Sequence, residues 1–302
     1  MVSTPLICPI CPNGFTKVIK YGFFTRRCRQ KSRIQRYQCK SCHSTFSRQT
    51  GTLTYRERRP HLTHKVLKIV MEGVSQRGCA RALRCDPRTV ARKIRRLGRR
   101  AKELLLERSP SDVSQGQETE VIFDEMETFE HTKCKPVSIA IAVSSSTRQV
   151  IAVKAAQMPP KKKLSAVAQR RYGPRTDQRR ETMTEVLREA SRLCPNLISL
   201  KSDKCPRYPA IVRDIFPASV HHQTYKGRRA CIVGQGELKR GGFDPLFTLN
   251  HTCAMFRDRI KRLARRTWCT TKRIDRLNDL LNLYAWWHNN LVSNSPMSFR
   301  IS

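Results

Sequence analysis

Acidic side chains are scarce in this chain: 23 Asp and Glu stand against 60 Lys and Arg, a formal net charge of +37 over 302 residues. The excess is spread along the chain, so it is not one basic tail. A globular enzyme of small-molecule metabolism has no use for such a field, whereas a protein lying along phosphates gains affinity from each counterion it releases. Long apolar runs are missing too. Nothing approaches the ~18 to 20 residues needed to span a bilayer, so no membrane partner is expected. Met1 to Asn13 has neither the basic start nor the apolar core of a secretory signal. What the chain does hold is cysteine, 13 in all. A cytoplasmic location is therefore expected, where thiols stay reduced and paired cysteines bind metal more often than they form disulfides. The length allows a core of ordinary size with one or two small modules besides.

Cys8-Pro-Ile-Cys11 and Cys39-Lys-Ser-Cys42 are two C-x2-C knuckles separated by 27 residues. A two-residue spacer turns both thiolates onto one ion, and two knuckles complete a tetrahedral four-sulfur site for one structural Zn2+. The intervening segment has room for a hairpin, with Gly14 and Gly22 available for turns and Tyr37, Phe23 and Phe46 available to cover the metal. Residues 1–55 are read as a zinc ribbon whose ion supplies much of its folding free energy. Cys28, alone among Arg26, Arg27 and Arg29, and His43, directly after Cys42, are left out of the ligand set.

From His64 the apolar spacing becomes helical. Val66, Leu67, Val70 and Met71 mark one face and Gly73 a stop; Ser75 can cap a second helix carrying Cys79 and Leu83. Asp86-Pro87 is a helix start, with a third helix running through Val90, Ile94 and Leu97 to Gly98. Three short helices with a tight turn before the last predict a helix-turn-helix domain over 56–108. Between Arg77 and Lys102 there are eleven Lys or Arg and one acid, Asp86. Arg88, Thr89, Arg92, Lys93, Arg95 and Arg96 are read as its exposed face, suited to a major groove of double-stranded DNA. The polar stretch 109–118 reads as a linker.

Residues 119–302 carry three extended stretches (Thr119–Met126, Val137–Val143, Gln149–Ala155), a helix over Glu181–Leu193, a strand ending at Asp203, a helix over Pro209–Ile215 and a strand over Ser219–Tyr225. That order predicts an α/β fold, a mixed sheet with helices packed on it. Asp124 and Asp203 each close a short apolar run. Carboxylates pushed out of buried strands in so basic a chain suit a hard divalent cation, Mg2+ or Mn2+, beside a polyanion. The order is similar to that of an RNase H-like core, a resemblance that implies the first acid on the first strand and the second at the end of the fourth.

With the modules in place, the chain resembles transposases of bacterial insertion sequences, most nearly the insertion-sequence-one type and its zinc-ribbon relatives. Three segments carry the likeness: YQCKSCHSTF over 37–46, SDKCPRY over 202–208, and RDRIKRLARRTWCTTK over 257–272. The resemblance implies a catalytic set of Asp124, Asp203 and a third ligand, with Arg257 as the basic residue one or two turns later. The third position, usually Glu, falls on Asn250, whose amide oxygen can ligate Mg2+ without charge. Asn250 is equally readable as a helix N-cap, with Glu237 and Asp244 as rival ligands. Arg259, Lys261, Arg262, Arg265 and Arg266 would flank the scissile phosphate. Trp286 and Trp287 read as core, and Trp268 as core or base-stacking. The implied activity is Mg2+-dependent hydrolysis and strand transfer on terminal-repeat and target DNA, by a homodimer or larger assembly, near the bacterial nucleoid. The alternatives are a non-catalytic DNA-binding protein, either a decayed transposase or a repressor, and an RNA-binding zinc protein.

Overall fold

A computed structural model describes residues 6–11, 17–26, 32–161, 164–226, 244–264 and 267–293. Gly14, Cys28, Glu237, Arg265 and Arg266 lie outside the described residues. The chain divides into two compact units, residues 1–66 with 298–302, and residues 67–297. No helix among the described residues is long and apolar enough to cross a membrane.

The first unit holds an antiparallel sheet of β1 (Val18–Arg26), β2 (Ser32–Cys39) and β3 (Thr45–Phe46). β1 and β2 form the expected hairpin, with an irregularity between Lys20 and Phe23 where Gly22 takes φ +68°. Its interior is small: Cys8, Cys39 and Phe46 are buried, with Leu6, Cys11, Val18 and Tyr37 against them. Tyr37 and Phe46 cover the cysteines as expected, their rings 6.1 Å apart. Phe23 does not. It is exposed, beneath the guanidinium of Arg33 at 4.2 Å.

In the second unit, α2 (Gln76–Ala82) and α3 (Pro87–Leu106) follow α1 (His61–Met71), which begins in the first unit. Ser75 and Asp86 cap α2 and α3 through hydrogen bonds from Gly78 N and Arg88 N. The turn between them is closed by Arg84 at φ 47°. The third helix does not stop at Gly98. It continues to Leu106, because Gly98 is where α8 (Ile274–Val292) crosses: a Cβ there would lie 2.3 Å from the carbonyl oxygen of Asp279. The glycine serves close helix approach rather than termination.

The main sheet has the order β6-β5-β4-β7-β8, formed by β4 (Glu120–Phe129), β5 (Pro136–Ser144), β6 (Val150–Gln157), β7 (Ser199–Asp203) and β8 (His221–Tyr225). β4, β5 and β6 pair antiparallel, and β7 and β8 run parallel to β4, giving the mixed sheet expected. α4 (Leu164–Tyr172) was not expected. α5 (Arg179–Leu193) and α6 (Tyr208–Ile215) bury Met183, Val186, Leu187, Ala190, Ile211 and Val212 on one side of the sheet, against Val121, Phe123, Ala140 and Leu200. α7 (Phe247–Arg259) and α8 take the other side, where Phe256 and Tyr284 meet edge-on at 4.6 Å. Trp286 and Trp287 are buried on α8, as read, whereas Trp268 is fully exposed.

The edge strand β6 is closed by side-chain amides from α8. Asn289 accepts from Val150 N at 2.7 Å and donates to Val150 O at 2.9 Å; Asn278 makes the same pair with Ala155 at 2.8 and 3.3 Å. Eleven helical residues and five strand residues separate these anchor points, each roughly 16 Å, so the spacings match. The edge is thereby withdrawn from pairing with another chain. The stretch read as a linker is ordered into 3-10 turns at Pro110–Asp112 and Ser114–Gly116, with Val113 in the main core. Just before it, Arg108 donates to Val150 O at 3.0 Å and to Ile151 O, and burial pulls its pKa down to about 10.

Candidate metal centres and nucleic-acid interface

The Sγ atoms of Cys8, Cys11, Cys39 and Cys42 all lie within 4.8 Å of one another. Cys8 and Cys42 are 3.6 Å apart, and Cys11 and Cys39 are 3.8 Å apart. A disulfide needs about 2.05 Å. Four thiolates around a Zn2+ with bonds of about 2.3 Å sit about 3.8 Å from each other, so the donor set and its spacing fit a structural zinc ion. His43, at φ 58° directly after the second knuckle, stays outside the cluster.

The second centre rests on strand register. β4 and β7 pair as Glu120↔Ser199, Val121↔Leu200 and Ile122↔Lys201. Continued by two residues, that register sets Asp124 beside Asp203 on neighbouring parallel strands, facing the same side. Asp124 is mid-strand rather than at a strand end, since β4 runs on to Phe129 paired only with β5. Asp203 does end its strand. Each carboxylate is held by one oxygen. Oδ1 of Asp124 accepts from Tyr208 Oη at 3.1 Å and from Glu125 N at 2.7 Å; Oδ1 of Asp203 accepts from Cys205 N at 3.0 Å. The other oxygen of each has no hydrogen-bond partner among the described residues. Burial, and then the charge of Asp203, push the Asp124 carboxyl up to about 7. A carboxylate whose proton affinity is raised by burial and by a neighbouring acid is suited to share a cation with that neighbour.

Tyr208 and the Arg207–Glu125 ion pair, at 2.8 Å, were not singled out from the sequence as site residues. Tyr208 is fully buried, and burial raises its phenol far above the usual range, so it remains a donor to Asp124. Burial also raises Glu125, against the opposing charge of Arg207. Arg207 and Tyr208 lie in the SDKCPRY block, and their spacing of four and five residues after Asp203 was the available signal. His222 accepts or donates to Ser202 Oγ at 2.8 Å and stacks on Phe123, a structural role. Burial lowers its pKa.

Asn250 is not an N-cap. It sits inside α7, whose N-cap is Leu246, and donates Nδ2–H to Asp244 Oδ2 at 2.8 Å. Asp244 also accepts from Leu246 N at 3.0 Å, so it closes the start of the helix. Asn250, Cys253 and Arg257 share one helical face by their three- and four-residue spacing. The buried Cys253 thiol, raised to about 12 by burial, feels the charges of both Arg257 and Asp124, so Cys253 lies near Asp124. Among the described residues no third Asp, Glu, His or Cys joins Asp124 and Asp203 within ligand distance.

The basic residues divide. On α3, Arg88, Arg92 and Arg96 are exposed at four-residue intervals, and Thr89 and Arg95 are half-buried. Lys93 is buried, contrary to expectation: it lies on the inner stripe with Val90, Ile94 and Leu97. The late basic segment is not one helix, since α7 ends at Arg259 and Lys261–Leu263 form a 3-10 turn. Arg259 pairs with Glu72 and Asp258, burial lowers the Arg262 pKa, and Lys261 is exposed. Scanned against protein-family models and against curated proteins, the chain finds no match in either.

Proposed function

We propose that this chain is a DNA transposase that binds terminal-repeat DNA and catalyses Mg2+- or Mn2+-dependent hydrolysis and strand transfer. The observation that carries the reading is the pair Asp124 and Asp203, side by side on the central parallel strands, each with one oxygen anchored and one presented. The sheet order, with the first strand of the meander central and two later strands parallel to it, supports an RNase H-like core. The cysteine unit supports a zinc ribbon, and the capped α2–turn–α3 with its arginine stripe supports a helix-turn-helix reader of duplex DNA.

Asp124 and Asp203 would hold the divalent ion, with the Asn250 carbonyl as a neutral third arm. Donation of Nδ2–H to Asp244 leaves Oδ1 of Asn250 as the acceptor end of the amide, and in this reading Asp244 acts as holder rather than rival ligand. The bound ion supplies Lewis acidity at the phosphate and lowers the pKa of the attacking hydroxyl group. Tyr208 keeps Asp124 in one rotamer, and Arg257, on the same helical face as Asn250, offers charge to the phosphate. No protein nucleophile is required: water opens the strand, and the freed 3′-hydroxyl attacks the target. DNA carrying the inverted repeats that flank the coding region, incubated with Mg2+ or Mn2+, tests this. Nicking at the repeat ends that is lost in Asp124→Ala and Asp203→Ala supports it. Tight repeat binding without cleavage favours the second reading, a non-catalytic DNA-binding protein, which the neutral Asn250 in place of a third carboxylate also favours.

A further inference from the structure

One face of the β1–β2 hairpin has no job in the zinc site. Val18 pairs with Cys39 and Lys20 with Tyr37, so these residues line the face that closes on the cysteines. On the opposite face, Phe24 pairs with Ile34, and Arg36 follows two residues on. Beyond the irregularity at Gly22, Tyr21 joins this second face, because the Arg36 guanidinium lies 5.6 Å from its ring centroid. Tyr21 and Phe24 are 47% and 40% exposed. Two large rings held in solvent on a rigid hairpin cost solubility and contribute little to so small a core.

Charge selects what covers them. Residues 1–56 contain eleven Lys or Arg and no Asp or Glu. Arg36 is itself fixed, donating from Nη2 to Thr45 Oγ1 at 3.0 Å, so its cation stays beside the Tyr21 ring. An apolar protein partner needs no such field, whereas a polyanion with flat apolar faces matches both features. We propose that the face formed by Tyr21, Phe24, Ile34 and Arg36 binds unpaired DNA, with bases stacked on the two rings and phosphates beside Arg36. Duplex DNA keeps its base faces buried in the stack and offers only phosphate to this surface. The choice of DNA over RNA rests on the proposed function; the stacking surface itself does not.

The test uses the full-length, zinc-loaded chain and follows the anisotropy of labelled oligothymidylate and of a blunt duplex of equal length, across a salt series. The double variant Tyr21→Ala/Phe24→Ala is expected to weaken oligothymidylate binding about tenfold or more, while duplex binding changes less than about twofold. The salt slope on oligothymidylate should stay unchanged, because no phosphate contact is removed. Tyr21→Phe should bind as the wild type does. Equal losses on both DNAs, or no loss on either, overturn the proposal. Tighter binding of oligouridylate than of oligothymidylate moves the surface to RNA and overturns it as well. Zinc stoichiometry on each variant separates lost stacking from a lost fold, and Tyr21→Ala alone carries the test if the double variant sheds its metal. Terminal-repeat nicking does not depend on these rings being stackers, so a failure here leaves the transposase reading to its own assay.

Discussion

At the four-cysteine cluster the thiols come from loops and from the end of β2 and form much of the interior of their own unit; the two carboxylates stand on central strands packed independently of them. The cluster is closed. Four thiolates within 4.8 Å leave a tetrahedral ion no free position. Asp124 and Asp203 leave a site open, because each commits one oxygen to the protein and keeps the other. The contrast teaches that one chain can bring potential ligands together in two ways. In the first unit Cys8, Cys39 and Phe46 are too few to build a hydrophobic core, and an ion held by the four thiolates would take its place. In the second, a core on both sides of the sheet forces two carboxylates together, with a cost in proton affinity that an ion would relieve.

The hardest test of that contrast is Cys39→Ser. It removes a ligand whose Zn2+ is worth on the order of 10 kcal/mol to such a unit, so hydrogen-exchange protection of β1 and β2 should vanish while that of β4 and β5 persists. Joint loss of both would break the distinction. Next in size, Asp124→Ala should cut terminal-repeat nicking about a thousandfold, some 4 kcal/mol of transition-state stabilisation, with duplex affinity within about twofold. Gly98→Ala sharpens the same contrast from a distance. Its Cβ would press on the Asp279 backbone, so we expect a loss of about 3 kcal/mol in the chemical unfolding of the second unit, with zinc content unchanged.

The smallest effect is a pH dependence. The Asp124 carboxyl is raised from 3.8 to about 7, so the stability its protonated form contributes is complete below about pH 4 and lost as pH rises through about 7. Asp124→Asn removes the charge, and should stabilise the metal-free protein at pH 8 but not at pH 4. Mg2+ should raise the melting temperature of the wild type at pH 8 but not that of the variant. A pH-independent difference between the two would mean that neither burial nor Asp203 raises this carboxyl.

Much of this was legible because it is local. The knuckle spacing, the caps Ser75 and Asp86, and the strand and helix periods of 119–225 each depend on a few consecutive residues. Lys93 was misread because the weight of positive charge overrode its position, three residues after Val90 and four before Leu97, on the inner stripe. Gly98 was read as a stop, since nothing nearby in sequence announces a helix 180 residues later. Asn250 was half-legible. Its place in α7 and its bond to Asp244 required the fold, while its spacing to Cys253 and Arg257 was readable throughout.

The sequence by itself determined the charge, the metal-suited cysteines, and the kinds and order of the elements, because propensity, capping and knuckle geometry act over a handful of bonds. Tertiary structure decided the rest. The neighbouring strands β4 and β7 brought together two aspartates 79 residues apart, α8 sealed the edge of β6 with Asn278 and Asn289, and the hairpin turned Tyr21 and Phe24 away from the cysteines. These are matters of register and of which faces meet, and they are settled only when distant segments compete for the same buried surface.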